Sequence, residues 1–107
     1  DLLRESWTAL AQHHERLDGR GYPYGLKGDD ISLFGRIVAV ADVFDAITSH
    51  RPYRPPMPID EALALLQRGA GTEFDPACVE ALIRARAKGA ILTQDEREQA
   101  IASQTME

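Results

Sequence analysis

The chain has little of what stabilises secreted proteins or anchors proteins in membranes. Its single cysteine, Cys78, cannot form an internal disulfide, so a reducing, cytoplasmic setting is expected. Its longest apolar stretch, residues 37–41, is far shorter than the roughly 20 residues that a membrane-spanning helix needs. We therefore expect no membrane insertion by this domain.

Basic residues are also scarce. Twelve lysines and arginines stand against 17 aspartates and glutamates, which gives a net charge of −5. Because duplex nucleic acid is bound through clustered cations, we expect no such partner, and any phosphate ligand must meet a local basic patch. A hydrophobic content of 44% with 27% charged residues is typical of a folded soluble protein, and 107 residues suffice for one domain, residues 1–107.

The periodicity of apolar residues predicts an all-α fold, because no segment alternates as a strand would. Five helices are predicted, over about residues 2–16, 32–49, 60–68, 76–88 and 93–103. Asp60, Asp75 and Thr93 are the predicted N-cap residues of the last three, and Glu96 completes a capping box with Thr93. Residues 50–58 contain four prolines and must be extended or turned.

Two adjacent histidines, His13 and His14, end the first predicted helix and run into a glycine-rich turn. Neighbouring side chains on a helix point roughly 100° apart. The two imidazoles can therefore belong to one site only if they bind at different positions in it, for example to two different ions. The pair therefore indicates a multinuclear metal centre. The alternative is an ordinary exposed or hydrogen-bonded histidine near a helix end.

A carboxylate partner for these imidazoles is available in Asp42, which interrupts the apolar segment 37–44. An unpaired carboxylate buried there would lose several kcal/mol of solvation, and a metal ion would offset that loss. The alternative is a buried hydrogen bond to an arginine or to a backbone amide. Asp45, one turn further, is the better candidate for such a structural bond.

Arg51 and Arg54 flank a proline and a tyrosine just beyond the helix that carries Asp42. Planar guanidinium groups bind phosphate oxygens in two places at once, although two solvated surface arginines are the alternative. Tyr22 and Tyr53 could stack on a base or fill the core. A metal site beside an arginine pair indicates hydrolysis of a phosphate ester, with the metal activating water.

These motifs together resemble the HD-GYP domain. The matching motifs are His-His-Glu at 13–15, Gly-Tyr-Pro at 21–23, Ala-Asp-Val-Phe-Asp-Ala at 41–46, Arg-Pro-Tyr-Arg at 51–54 and Phe-Asp-Pro at 74–76. The resemblance covers roughly residues 5–85. It implies a helical bundle of the HD phosphohydrolase superfamily that hydrolyses the bacterial second messenger cyclic di-GMP to pGpG or GMP. It also implies two or three divalent metal ions, most often iron, with manganese or zinc as alternatives.

The resemblance assigns roles to three groups of residues. The metal ligands are His13, His14 and Asp42, the phosphate contacts are Arg51 and Arg54, and the partner-binding loop is Gly21, Tyr22 and Pro23. Through that loop some family members contact GGDEF-domain proteins. The general acid or base of the reaction is expected upstream of the matched segment.

The chain departs from the family pattern at its beginning. The defining His-Asp pair, the lysine after it and a further histidine ligand all precede the matched segment and are missing from this sequence. We therefore expect the C-terminal part of an HD-GYP domain, following a sensory or receiver domain in the parent chain. The fragment alone is expected to be inactive, with exposed apolar surface that favours a homodimer.

Two alternative functions stay open at this stage. One is a non-catalytic or degenerate module that acts in signalling through contacts of its Gly-Tyr-Pro loop. The other is hydrolysis of a different cyclic dinucleotide, such as cyclic GMP-AMP.

Overall fold

The computed structural model describes residues 15–22 and 25–105. This part of the chain is helical and contains no strand, only isolated bridges. After a short 3-10 helix, Gly28–Asp30, come four α-helices: α1 (Leu33–Thr48), α2 (Ile59–Gly69), α3 (Pro76–Ala87) and α4 (Gln94–Thr105). The prediction of an all-α fold is confirmed. The predicted helix at 2–16 lies outside the described residues, except that Glu15 and Arg16 are not helical.

Helix α1 begins and ends where its sequence predicts. Ser32 is the N-cap residue, and its Oγ accepts the backbone N–H of Gly35 at 3.0 Å. Val40 and Phe44 face the core with 1% and 3% of their surface exposed. The helix ends at Thr48, directly before the proline-rich segment, because prolines supply no N–H for further helical bonds.

Helix α2 corrects one predicted cap. Pro58, not Asp60, is the N-cap residue, because its backbone already has the extended ψ of 147° that this position requires. Asp60 lies in the first turn, where its negative charge interacts favourably with the helix dipole. At the other end, Gly69 packs so closely on Phe74 that a Cβ atom there would lie 2.8 Å from the ring.

The last two helices begin as predicted. Asp75 caps α3 by accepting the N–H of Ala77 at 2.8 Å, and proline occupies the first helical position. Thr93 and Glu96 form the predicted capping box of α4: the Thr93 N–H donates to the Glu96 carboxylate at 2.9 Å, and the Glu96 N–H donates to the Thr93 hydroxyl at 3.3 Å. Helix α4 continues to Thr105, two residues past its predicted end.

Helices α1, α2 and α3 pack around one apolar core. Its buried members are Val40, Phe44, Ala62, Leu66, Phe74, Val79 and Leu82. Cys78 packs against this cluster, and burial, followed by the charge of Asp75, raises the pKa of its thiol. Within the described ranges, no helix combines the length and apolar character needed to cross a bilayer.

The side of α1 toward α3 is not fully covered. Leu33 and Ile37 are 57% and 45% exposed and line an open apolar groove of about 380 Å³ with residues of α3. Helix α1 is therefore buried on one side only in the part of the chain that the structure describes. This groove is the exposed apolar surface that the sequence predicts, and the homodimer stays a prediction.

Candidate functional site

The segment that follows the two histidines is fixed at several points. Glu15 is buried, with 3% of its surface exposed, and its Oε2 accepts the backbone N–H of Leu26 at 2.9 Å. The N–H groups of Leu17 and Asp18 donate to the carbonyls of Glu73 and Thr72, at 3.3 and 2.8 Å. Residues 15–18 are thereby attached both to the glycine-rich loop, residues 19–28, and to the turn between α2 and α3.

Asp18 organises the beginning of the glycine-rich loop. Its carboxylate accepts hydrogen bonds from the Arg16 guanidinium at 3.0 and 3.3 Å and from the Arg20 N–H at 3.0 Å. The hydrogen bond from Arg16 lowers the pKa of Asp18, with a further contribution from the Arg20 amide. Gly19 follows with a φ of 84°, a conformation that favours glycine. These contacts give the described part of this loop a defined structure.

Asp42 faces a small cleft beside this anchored segment. The cleft has a volume of about 140 Å³ and is lined by Glu15, Arg16, Ala39, Asp42, Val43, Glu73 and Phe74. The predicted burial of Asp42 is wrong, because its face of α1 opens to the cleft while Val40 and Phe44 take the core. The alternative of a structural hydrogen bond to Asp42 is not found among the described residues. Its carboxylate is therefore accessible to a ligand from the cleft.

The described residues supply part of a metal site and do not complete one. His13 and His14 lie outside them, directly before Glu15, which lines the same cleft as Asp42. Residues 15–22 and 25–105 contain no group of three or more ligating side chains placed to hold a metal ion. An accessible carboxylate in an acidic cleft nevertheless fits the role of an oxygen ligand for a divalent cation. Asp42 is that ligand candidate.

The two predicted phosphate-binding arginines have different environments. Arg54 is half-buried, and its guanidinium donates to the carbonyls of Ala46 and Ile47, at 2.9 and 3.5 Å, at the C-terminal end of α1. Arg51 is exposed, and no described residue engages its guanidinium. Tyr53 is 76% exposed beneath the Arg54 guanidinium, whose Cζ lies 5.7 Å from the ring centroid. Arg51 is therefore the more available cation, and Tyr53 does not fill the core.

His50, just before Arg51, contacts the beginning of α4. Its N–H donates to the Gln94 side-chain oxygen at 2.9 Å, and its Nε2 lies 2.9 Å from an Asp95 carboxylate oxygen. Asp45 accepts a hydrogen bond from Arg97 of the same helix at 3.2 Å, in agreement with its predicted structural role. Sequence reasoning missed the contribution of α4 because no local pattern links residues so far apart.

The Gly-Tyr-Pro loop is described only in part. Gly21 is half-buried and Tyr22 is 62% exposed, so the tyrosine does not fill the core either. Pro23 lies outside the described residues.

Comparisons with known proteins place this arrangement in a family. The family model of the HD domain matches residues 2–78, which is more than half of the chain. The chain belongs to the HD domain family. The region that matches includes the segment after the histidines, all of α1, the proline-rich segment with Arg51 and Arg54, and the beginning of α3.

The relatives of this HD domain chain are phosphodiesterases by name. A cyclic di-GMP phosphodiesterase response regulator of Xanthomonas campestris is 58% identical over 72% of this chain and 20% of its own length. A 3'3'-cGAMP-specific phosphodiesterase of Vibrio cholerae is 55% identical over 68% of this chain and 16% of its own length. The HD-GYP resemblance is thereby confirmed, and the chain spans about a fifth or less of these relatives.

A solved structure agrees with this assignment. The crystal structure of a cyclic GMP-AMP specific phosphodiesterase of V. cholerae matches with a TM-score of 0.66 and 30% identity, over 78% of this chain and 19% of that chain. The helical arrangement described above therefore matches about a fifth of that phosphodiesterase structure.

Proposed function

We propose that the protein carrying this chain is a metal-dependent phosphodiesterase that hydrolyses cyclic di-GMP to pGpG or GMP. The observation that carries the proposal is the accessible Asp42 carboxylate, which shares a cleft with Glu15, the residue directly after His13 and His14. The names of relatives that are 50–58% identical over about 70% of the chain support the reaction class.

In this proposal His13, His14 and Asp42 hold divalent metal, two or three ions with further ligands from outside the chain. Imidazole nitrogen together with carboxylate oxygen can bind iron, manganese or zinc, and the resemblance to the HD-GYP domain favours iron among them. Bound metal would activate water and neutralise charge that develops on the phosphate. The chain alone should be inactive, because a multinuclear centre needs more ligands than these three.

Arg51 would bind a phosphate oxygen of the substrate. Its guanidinium is exposed and forms no hydrogen bond or ion pair with the described residues, whereas Arg54 already donates to two carbonyls of α1. Arg54 would therefore contact phosphate only through its remaining N–H donors.

The test is metal content and cyclic di-GMP hydrolysis in the native protein with its upstream sequence. Asp42→Asn should lose metal and activity, because an amide is a poorer ligand than a carboxylate. Asp45→Asn is the matched control on the same helix and should retain metal, since Asp45 pairs with Arg97. A native protein that contains no metal and does not hydrolyse cyclic di-GMP would contradict the proposal.

The substrate needs a direct comparison, because relatives are named for both cyclic di-GMP and 3'3'-cGAMP. Both dinucleotides should be offered at equal concentration, and the ratio of kcat/KM values decides between them. A cytoplasmic location goes with either substrate and is supported by the single thiol. An attached sensory or receiver domain would place the activity under signal control.

A second candidate function is partner binding through the Gly-Tyr-Pro loop, and the 62% exposure of Tyr22 favours it. Capture of a GGDEF-domain protein should weaken in Tyr22→Ala. Tyr53→Ala is the control, because this tyrosine is 76% exposed in a different turn. Equal capture by wild type and by Tyr22→Ala would exclude the loop as the contact surface.

A further inference from the structure

The beginning of α4 is fixed to the end of α3. Arg86 of α3 forms a two-pronged ion pair with Glu96, with nitrogen to oxygen distances of 2.5 and 2.7 Å, and also donates to the carbonyl of Ile91 at 2.9 Å. The capping box between Thr93 and Glu96 closes the same corner. Bidentate arginine–carboxylate pairs define orientation as well as contact, so the first turn of α4 has a defined position relative to the core helices.

From this fixed position, the first turn of α4 contacts His50, the residue before Arg51. Gln94 accepts the backbone N–H of His50, and Asp95 binds the imidazole of the same residue, each at 2.9 Å. This His50 N–H follows the last turn of α1 and needs an acceptor, which Gln94 supplies. Two residues of α4 thus hold the backbone and the side chain of the residue before Arg51.

The other side of Arg51 is held as well. Its carbonyl accepts the N–H of Arg54 at 3.3 Å, and Arg54 is attached to the carbonyl groups at the end of α1. The main chain on both sides of Arg51 is therefore constrained, while its exposed side chain forms no hydrogen bond or ion pair with the described residues. Such an arrangement fixes the position of the Arg51 backbone and leaves the guanidinium available for a ligand.

We propose that Gln94 and Asp95 are positioning residues that hold His50 and so present Arg51 to the phosphate of the substrate. The inference rests on the proposed function, because it uses Arg51 as a phosphate-binding residue. The HD family model ends at residue 78, so the proposal gives a role to a helix outside the matched region.

The experiment compares Asp95→Asn with Glu98→Gln in the native protein that contains this chain. Each change removes one carboxylate charge from α4, but only Asp95 contacts His50, and Glu98 is exposed without a partner in the described part. Asp95→Asn should raise the Kd for cyclic di-GMP, and KM with it, about two- to fivefold, the size of an exposed side-chain contact. The kcat should be retained, because a grip on a non-reacting oxygen is equal in ground and transition states. Glu98→Gln should leave both constants unchanged.

A double-mutant cycle separates positioning from general destabilisation. In an Arg51→Ala background, Asp95→Asn should have no further effect on Kd, because there is no guanidinium left to position. A wild-type Kd in Asp95→Asn, or an increase that persists in full without Arg51, overturns the inference while the proposed function stands. A native protein that neither binds nor hydrolyses cyclic di-GMP overturns both.

Discussion

Arg36 of α1 forms an ion pair with Asp75, the N-cap residue of α3. Both side chains are largely buried, at 20% and 12% exposed, and the Arg36 Nε also donates to the carbonyl of Ile31 at 3.1 Å. Burial alone would raise the pKa of Asp75, but hydrogen bonds from Arg36 and from the first amides of α3 outweigh it and lower that pKa. One guanidinium therefore joins the start of the helix that carries Asp42 to the start of α3.

Removing the charge of Asp75 should separate its role in the ion pair with Arg36 from its role as the N-cap residue of α3. Asp75→Asn keeps a good N-cap but loses the ion pair, and we expect a loss of about 1–3 kcal/mol in the free energy of unfolding, measured with urea. Asp75→Ala should lose about 1 kcal/mol more, because the cap disappears as well. Equal stability of wild type and Asp75→Asn would contradict the role given to this pair.

The same pair predicts a dependence of stability on pH. Because folding lowers the pKa of Asp75, its contribution is complete above the ordinary value near 3.8 and is lost as the pH falls through the lower folded value. The urea midpoint of the wild type should therefore fall on acidification in this range. Asp75→Asn should show a smaller fall, and an identical pH profile would argue against the assignment.

Glu96 should titrate far from its ordinary range. The hydrogen bond from Arg86, followed by the Thr93 amide, lowers the pKa of Glu96 from 4.5 to about 2. The stabilising effect of this carboxylate is present above pH 4.5 and is lost as the pH falls toward about 2. A side-chain NMR titration should give a midpoint near the lower value, and Arg86→Gln should move it back upward. A wild-type midpoint near 4.5 would rule out the ion pair in solution.

The contact of Gly69 with Phe74 predicts an unusual glycine substitution. Alanine is normally better than glycine in a helix, but a Cβ at residue 69 would lie 2.8 Å from the Phe74 ring. Gly69→Ala should therefore destabilise the fold by about 1–3 kcal/mol. The loss relative to glycine should be smaller in a Phe74→Leu background, where the ring is gone. Stabilisation by Gly69→Ala would show that this close packing is absent.

The two arginines of the proline-rich turn should respond differently to truncation. Arg54→Ala removes a donor from two carbonyls of α1 and should cost about 1–2 kcal/mol of stability. Arg51→Ala should change stability by less than about 0.5 kcal/mol, because its exposed side chain forms no hydrogen bond or ion pair with the described residues. Binding of cyclic di-GMP should show the opposite order, with the larger loss in Arg51→Ala. Thermal unfolding and equilibrium dialysis measure the two effects.

Local signals in the sequence predict the helices well. Asp75 with Pro76, and Thr93 with Glu96, mark helix starts because N-capping depends on residues three positions apart or fewer. Asp60 misled because a rigid proline two residues earlier already has the capping conformation. A prediction that considers only polar residues as N-caps does not detect a proline in this position.

The candidate site was harder to predict because its packing is non-local. The apolar neighbours of Asp42 suggested burial, yet which face of α1 meets the core depends on where α2 and α3 lie. The contacts of Arg36 with Asp75 and of His50 with α4 join residues about 40 apart, with no periodic pattern between them. The motifs identified the residue types of the site, and tertiary packing decided their accessibility.

The hydrogen bond from the Leu26 amide to the Glu15 carboxylate joins the segment after the histidines to the glycine-rich loop. Residue 15 follows His14 in the chain, and residue 26 closes the loop that displays Tyr22. Under the proposed function, this bond links the segment that follows the histidines to the loop that would bind a partner protein. Partner binding that displaced this bond would then alter the affinity for metal, and by reciprocity metal binding would alter the affinity for the partner by the same factor.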